Sequence, residues 1–183
     1  MQKIKMLAGK LIVLALIAVT VIVFLQKTSL NEVQARSMLQ TAAPSIESSR
    51  WLNSSPLTNK DLAGKVYLVE FWTFGCYNCV NVEPYIKQWY QRYKDKGFEV
   101  IAVHSPEFSH EKNIDNVKAY INRKNITYPV AIDNEFTIWK RYSNRYWPAM
   151  YLVDKKGKLR YYHFGEGNYA KTESMIKTLL AEK

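Results

Sequence analysis

The chain has 183 residues, enough for one domain of ordinary size and an appendage, and 48% of them are hydrophobic, which suffices for a packed core. Its 26 Lys and Arg residues against 16 Asp and Glu give a formal net charge of +10. The basic residues are scattered among acids and no nucleic-acid-binding motif occurs, so we expect no nucleic-acid partner.

The first 26 residues have the pattern of a signal anchor or transmembrane segment. Lys3, Lys5 and Lys10 precede an uncharged run from Leu11 to Leu25. This order predicts that the basic end stays in the cytoplasm and that the following chain is exported. An uncleaved anchor in the bacterial cytoplasmic membrane is favoured, with the next domain in the periplasm or outside the cell. Cleavage after Val33-Gln34-Ala35 would instead release a soluble exported form.

Residues 27–50 are polar and rich in Ser, Asn and Thr, which predicts a linker, and residues 51–183 are predicted to form the folded domain. Regular elements begin with an apolar strand, Val66–Trp72. A helix is predicted over Val80–Tyr93, ending before Gly97, and a second strand over Phe98–His104. Two strands joined through a helix form a β-α-β unit, so these strands should be parallel.

The rest of the chain predicts an inserted α/β segment and then a hairpin and a helix. The predicted elements are a helix from about Glu111 to Arg123, a strand Tyr128–Ile132, a helix Asn134–Tyr142, a hairpin of Ala149–Val153 with Lys158–Phe164, and a last helix Tyr169–Ala181. The fold class is therefore α/β, with a central mixed sheet flanked by helices.

The chain's two cysteines form a Cys-x-x-Cys motif, Cys76-Tyr77-Asn78-Cys79, between the first strand and the first helix. This position is typical of a dithiol that opens and closes one disulfide. Half of a zinc site is an alternative, but no further cysteine and no suitably spaced histidine pair exists. A purely structural disulfide is another. Outside the cytoplasm a reducing dithiol would need a dedicated electron supply.

Several separated segments resemble the thioredoxin-like superfamily, and more narrowly the TlpA-like group and the thioredoxin-like domain of DipZ-type proteins, within the redoxin family. The segments are Phe71–Cys79 with Glu83-Pro84-Tyr85, Val103–Phe108, Tyr128–Asn134, Asn144–Ala149 and His163–Gly167. The resemblance covers about residues 51–183. It implies a thioredoxin-like fold with one insertion and a thiol–disulfide oxidoreductase that needs no cofactor and no metal.

Each cysteine has an expected role. Cys76 would lie at a helix N-terminus, where unpaired N–H groups stabilise a thiolate, so it is the predicted nucleophile. Cys79, one turn later, is the predicted resolving cysteine. Glu70 interrupts the apolar strand where thioredoxins carry a buried acid, which implies proton exchange with the resolving thiol. The alternative is that strand alternation points Glu70 at water.

By the same resemblance, Pro148 is the cis-proline that faces the cysteine pair, and Trp147 and Pro148 are the candidate substrate-binding residues. The aromatic residues Trp139, Tyr142, Tyr146 and Trp147 could line a peptide groove, although an aromatic core explains them better. The three histidines are weaker candidates for catalysis. Pro84 should kink the first helix.

Three functions compete. The first is a membrane-tethered reductase of exported protein disulfides, recharged by a transmembrane electron donor of the CcdA or DsbD type. The second is a thiol peroxidase of the peroxiredoxin type, because Thr73 stands three residues before Cys76, although Val69 occupies the position of that pattern's proline. The third is a non-enzymatic binding module with a structural disulfide.

Overall fold

The computed structural model describes residues 16–22, 33 and 36–183, which fall into two compact units divided between Ser37 and Met38. In the first unit, residues 16–22 are helical and exposed. Within the described ranges, no helix is both long and apolar enough to cross a membrane. Most of the predicted anchor, residues 1–26, lies outside the described residues, so the anchor stays a prediction.

The second unit is built on six strands. They are β1 (Trp51–Leu52), β2 (Val66–Trp72), β3 (Phe98–His104), β4 (Val130–Ile132), β5 (Ala149–Val153) and β6 (Leu159–Phe164). They form one sheet in the order β1-β4-β3-β2-β5-β6. The β2-β3 and β3-β4 pairs are parallel, and the other three pairs are antiparallel. The predicted mixed sheet, its parallel β-α-β unit and its C-terminal hairpin are confirmed.

The helices of this unit are α1 (Tyr77–Tyr93), α2 (Ile114–Lys124), α3 (Thr137–Arg141) and α4 (Tyr169–Ala181). Short 3-10 turns cover Lys94–Lys96 and Ser109–Lys112. The helix predicted from Glu111 is therefore divided. Asn113 separates the two parts, because its side chain accepts a hydrogen bond from the Asp115 amide and caps α2.

Two inserted elements are shorter than predicted. The strand predicted from Tyr128 begins at Val130, after Pro129, which has no N–H to contribute to a sheet ladder. The helix predicted over residues 134–142 covers Thr137–Arg141. Its first turn is held by the Asp133 carboxylate, which accepts hydrogen bonds from two of its amides.

Both faces of the sheet are covered, which explains why all seven residues of β2 are buried. Leu68 and Trp72 of β2 point into one hydrophobic cluster together with side chains of α1, α2 and α4. Val69 and Phe71 point into a second cluster with side chains of α3. Both cysteines belong to the first cluster. The cysteine pair therefore lies on one face of the sheet, at the end of β2.

Part of the predicted linker packs into the second unit, which begins at Met38. Ala43 and Ile46 are buried in the second hydrophobic cluster. The Ser48 hydroxyl donates a hydrogen bond to the Ile132 carbonyl of β4 at 2.6 Å. Residues 38–50 therefore pack against the second unit as far as β1, and we call this segment the strap.

Candidate active site

The two cysteines lie at the start of α1 and are joined by a disulfide bond. Their Cα atoms are 5.3 Å apart, within the usual range for a disulfide. Cys76 is the N-cap residue, and its sulfur accepts a hydrogen bond from the Cys79 amide at 3.2 Å. Cys76 is 8% exposed and Cys79 is 3% exposed. Cys76 is therefore the more exposed residue of the pair.

Glu70 is buried in the middle of β2, with 3% of its surface exposed. The alternative that it faces water is therefore wrong. Because side chains alternate along a strand, Glu70 shares the sheet face of Leu68 and Trp72, which also carries the cysteines. Burial raises the pKa of the Glu70 carboxyl from 4.5 to about 8, and the negative charge of Glu83 adds to the rise. Glu70 is therefore mostly protonated at neutral pH.

Glu83 is a second carboxylate close to Glu70, and the sequence pointed to it only as part of a longer motif. It lies on α1 and is 8% exposed. The Tyr120 hydroxyl donates a hydrogen bond to its Oε2 at 2.8 Å, and the Lys87 ammonium lies 2.7 Å from its Oε1. These two partners stabilise the negative charge on Glu83, which in turn favours the protonated form of Glu70.

The peptide bond between Trp147 and Pro148 is cis, as the family resemblance implied. Pro148 directly precedes β5, whose first residue, Ala149, pairs with Phe71 of β2. The cis-proline loop therefore meets the end of β2 from which the chain continues to the cysteines. The Trp147 indole N–H donates a hydrogen bond to the Ser105 carbonyl at 3.0 Å, which ties this loop to the end of β3.

The aromatic residues considered for a peptide groove do not share one environment. Tyr142 is 1% exposed and contacts Phe71 edge-on, with ring centroids 5.4 Å apart, so it belongs to the core. Trp139 and Trp147 are partly buried, and their ring centroids are 4.3 Å apart. Of the four, Trp147 is the one packed against the cluster that contains the cysteines.

Sequence reasoning missed two contacts beside the cysteine loop, that of His104 with Thr73 and that of Glu111 with Gly75. The His104 ring lies with Nε2 3.2 Å from the Thr73 hydroxyl. Burial lowers the pKa of His104 to about 4, although the negative charge of Glu111 opposes this, so the ring is neutral at physiological pH. These contacts span 31 and 36 residues of sequence, so no local pattern could have revealed them.

The arrangement suits the opening and closing of one disulfide. A helix N-terminus can stabilise a thiolate on Cys76, Cys79 is positioned to bond to it, and Glu70 can exchange a proton nearby. Across residues 16–22, 33 and 36–183, no group of three or more His, Cys, Asp or Glu side chains could hold a metal ion.

Known proteins resemble this chain in sequence or in fold. Protein DipZ of Mycobacterium tuberculosis (strain CDC 1551 / Oshkosh) is 46% identical over 133 residues, which are 71% of this chain but only 19% of DipZ. Thiol-disulfide oxidoreductase YkuV of Bacillus subtilis (strain 168) is 28% identical over 132 residues, 72% of this chain and 88% of YkuV. The solved structure of a thiol-disulfide isomerase from Corynebacterium glutamicum is 29% identical with a TM-score of 0.66, covering 77% of this chain and 98% of the isomerase.

The redoxin family model matches residues 39–180, nearly the whole of the second compact unit. The chain spans about a fifth of the length of the DipZ relatives it matches. Sequence motifs, fold and site geometry agree with these matches: the chain belongs to the redoxin family and has a thioredoxin-like fold.

Proposed function

We propose that this protein is a thiol–disulfide oxidoreductase that acts through Cys76 and Cys79. The observation that carries the proposal is the disulfide at the start of α1, with its more exposed cysteine, Cys76, at the N-cap. The buried acid Glu70 on the same sheet face adds a group that can exchange a proton, since a pKa of about 8 leaves a minor fraction of it ionised at neutral pH. The names of the YkuV and isomerase relatives support the same class of activity.

In the reducing direction, the Cys76 thiolate attacks one sulfur of a substrate disulfide. The substrate S–S bond breaks, a mixed disulfide forms on Cys76, and the other substrate sulfur leaves as a thiolate. Amide groups of the first turn of α1, among them the Cys79 N–H that already contacts the Cys76 sulfur, stabilise the attacking thiolate.

Cys79 then loses its proton and attacks the Cys76 sulfur. The mixed disulfide breaks, the Cys76–Cys79 disulfide closes, and the second substrate sulfur leaves, so two electrons have passed to the substrate. The ionised form of Glu70 accepts the Cys79 proton. Its pKa of about 8 is near the ordinary value of a thiol, about 8.5, so this transfer costs little free energy.

Trp147 and Pro148 form the substrate-binding loop of this proposal. The loop lies beside the start of β5 and is fixed to the end of β3 through the Trp147 indole. An extended segment of a protein substrate would pair with backbone groups of this loop, to which Pro148 contributes no N–H.

The proposed substrates are exported proteins with disulfides, and the proposed location is the outer side of the cytoplasmic membrane, with residues 1–26 as the anchor. Three lysines before an uncharged run support export. A reductase there must be recharged, because that compartment favours disulfides, so we include a transmembrane electron donor of the CcdA or DsbD type as partner. Fractionation of cells that express the full chain tests the anchor, and release of the protein by high salt alone would contradict it.

A single-turnover assay with reduced full-length protein and a fluorescent disulfide-linked peptide tests the activity. Cys76→Ser should abolish capture of the peptide. Cys79→Ser should capture it and accumulate a mixed disulfide on Cys76, since the resolving sulfur is absent. Failure of Cys79→Ser to form that adduct, or consumption of hydrogen peroxide faster than reduction of the peptide, would overturn the proposal.

The same assay separates the role of Glu70. Glu70→Gln should leave capture by Cys76 near its normal rate and slow product release about 10²-fold, the range expected for loss of a proton acceptor. Glu135→Gln, an exposed carboxyl replacement, is the matched control and should leave both steps unchanged. Equal slowing of capture and release by Glu70→Gln would contradict the assigned role.

A further inference from the structure

Glu111 connects two loops beside the cysteine pair, and the chemistry described above gives it no role. Its side chain is fully buried, on the 3-10 turn that follows β3. Oε1 accepts a hydrogen bond from the Gly75 amide at 2.9 Å. Oε2 accepts two more, from the amides of Glu107 at 2.6 Å and Phe108 at 2.9 Å. One carboxylate thus holds three backbone donors from two segments of the chain.

One of these donors belongs to the residue that immediately precedes the predicted nucleophile. Gly75 leads into Cys76, whose own amide donates to the Thr73 carbonyl at 3.3 Å and whose sulfur accepts from the Cys79 amide. The Glu111 bond therefore fixes the last peptide before the helix N-cap. The orientation of that peptide decides where the Cys76 sulfur lies relative to the amides of α1.

The space around Gly75 shows how closely the glycine and the carboxylate fit. A Cβ atom added at Gly75 would lie under 3.0 Å from Glu111 Oε1 and 3.4 Å from its Cδ, and no other heavy atom beyond the chain neighbours lies within 4 Å. The backbone of Gly75 is not in the left-handed region. A side chain at this position would therefore displace the Glu111 carboxylate, whereas the backbone conformation of Gly75 is not one that favours glycine.

Within the described residues, no Lys or Arg forms an ion pair with Glu111. His104 interacts electrostatically with Glu111 and is neutral at physiological pH, so it supplies no positive charge there. The three amide dipoles therefore compensate its charge. A carboxylate with several backbone donors gives strong, directional hydrogen bonds, which suits it to fix a loop.

We propose that Glu111 is a positioning residue that locks the 73–76 loop and so holds the Cys76 sulfur against the first amides of α1. The inference deepens the proposed function and rests on the role of Cys76 in it. It assigns Glu111 no contact with substrate. Its consequence is that Gly75 and Glu111 form one coupled unit.

A double-mutant cycle tests the coupling. Full-length reduced protein carrying Gly75→Ala, Glu111→Ala or both is alkylated with iodoacetamide over a pH series, and Cys76 modification is followed by mass spectrometry. Each single substitution should raise the midpoint pH of alkylation and lower the rate at pH 7 about tenfold, as expected for loss of one charge-assisted hydrogen bond. In the double variant, Gly75→Ala should change the rate by less than about twofold relative to Glu111→Ala, because the obstructing atoms are gone.

Every other outcome contradicts the proposal. Additive effects of the two substitutions would show that they act independently. An unchanged midpoint with reduced thermal stability would leave Glu111 a merely structural residue. A lower midpoint in Glu111→Ala would mean that its charge, which disfavours a nearby thiolate, outweighs its positioning.

Two controls keep the test decisive. Glu107→Ala removes an exposed carboxylate but keeps the amide that bonds to Glu111, so it should behave like the unaltered protein. If Glu111→Ala does not fold, Glu111→Ser replaces it in the cycle with the same expectations, because it also removes the atoms that obstruct a Cβ at Gly75. Alkylation needs no disulfide substrate, so a failed oxidoreductase assay and a failed positioning test remain distinguishable.

Discussion

At Glu70, burial changes the protonation state of a single side chain. Its folded-state pKa is raised from 4.5 to about 8, first by desolvation and second by the charge of Glu83. Below pH 4.5 the carboxyl is protonated in both folded and unfolded chains, and above pH 8 it is ionised in both. Between these limits only the unfolded chain is ionised, so this group lowers the free energy of unfolding progressively as the pH rises.

Glu70→Gln should therefore stabilise the oxidised protein, with a gain that is near zero at pH 4.5 and grows to at most about 5 kcal/mol at pH 8. A carboxamide resembles the protonated carboxyl in size and polarity. The difference in free energy of unfolding between the two proteins therefore reports the ionisation of Glu70 that the substitution removes. Guanidinium unfolding between pH 4.5 and 8.5 measures it. Glu135→Gln, at an exposed site, should give a flat difference, and a flat difference for Glu70→Gln would contradict the assignment.

Glu70 and Glu111 show which buried acids a sequence can reveal. Glu70 interrupts an apolar strand six residues before Cys76, so a local pattern marks it, although the pattern leaves open which way it points. Its direction follows only from the covering of both sheet faces. Glu111 stands at the polar start of a predicted helix, where no local pattern marks it as buried, and its bond to Gly75 crosses 36 residues of sequence. Only the fold brings those two segments together.

At the scale of elements, the inserted β4 and α3 support the cis-proline loop. Asp133 follows β4, and its carboxylate accepts hydrogen bonds from the Ile138 and Trp139 amides at 3.0 and 2.9 Å. The ring centroid of Trp139, a residue of α3, lies 4.3 Å from that of Trp147. The Ser105 hydroxyl also contacts Asp133, at 3.3 Å. One carboxylate thus holds the helix that packs against the loop.

Asp133→Ala should lower the free energy of unfolding by about 1 to 3 kcal/mol, because one buried and one partly buried amide donor lose their acceptor. Amide hydrogen exchange at Ile138 and Trp139 should accelerate more than exchange in α1. Asp115→Ala is the matched control: Asp115 is exposed and pairs with Lys118 at 3.4 Å, a surface ion pair worth about 0 to 1 kcal/mol. Equal destabilisation by the two substitutions would contradict the capping role.

Strands could be predicted from the sequence where the sheet is covered on both faces, because such a strand is a continuous run of apolar residues. The bounds of β2, β3 and β5 match their predictions for this reason. Ends set by side-chain capping were harder, since α1 begins at Tyr77 instead of Val80 and Asn113 divides the next helix. The two-residue strand β1 has no periodicity of its own, and its pairing with β4 follows from the fold.

At the scale of the whole molecule, single apolar side chains in a polar segment determine how much of the chain folds as one cooperative unit. Ile46 is fully buried in the second hydrophobic cluster, and the Asn59 side chain accepts a hydrogen bond from its amide at 3.2 Å. Val33, in the same predicted linker, is 61% exposed. The polar composition of residues 27–50 predicts a linker for both positions, because composition describes the whole segment and does not distinguish single side chains.

Ile46→Ala in the full chain should lower the free energy of unfolding by about 2 to 4 kcal/mol, the cost of deleting a buried aliphatic side chain and leaving a cavity. Val33→Ala removes a similar group from an exposed site and should change stability by less than about 0.5 kcal/mol. Denaturant unfolding followed by tryptophan fluorescence measures both. If Ile46→Ala is as mild as Val33→Ala, the strap formed by residues 38–50 is not part of the cooperative unit; a cost of the expected size means that folding of the cysteine-bearing domain includes it.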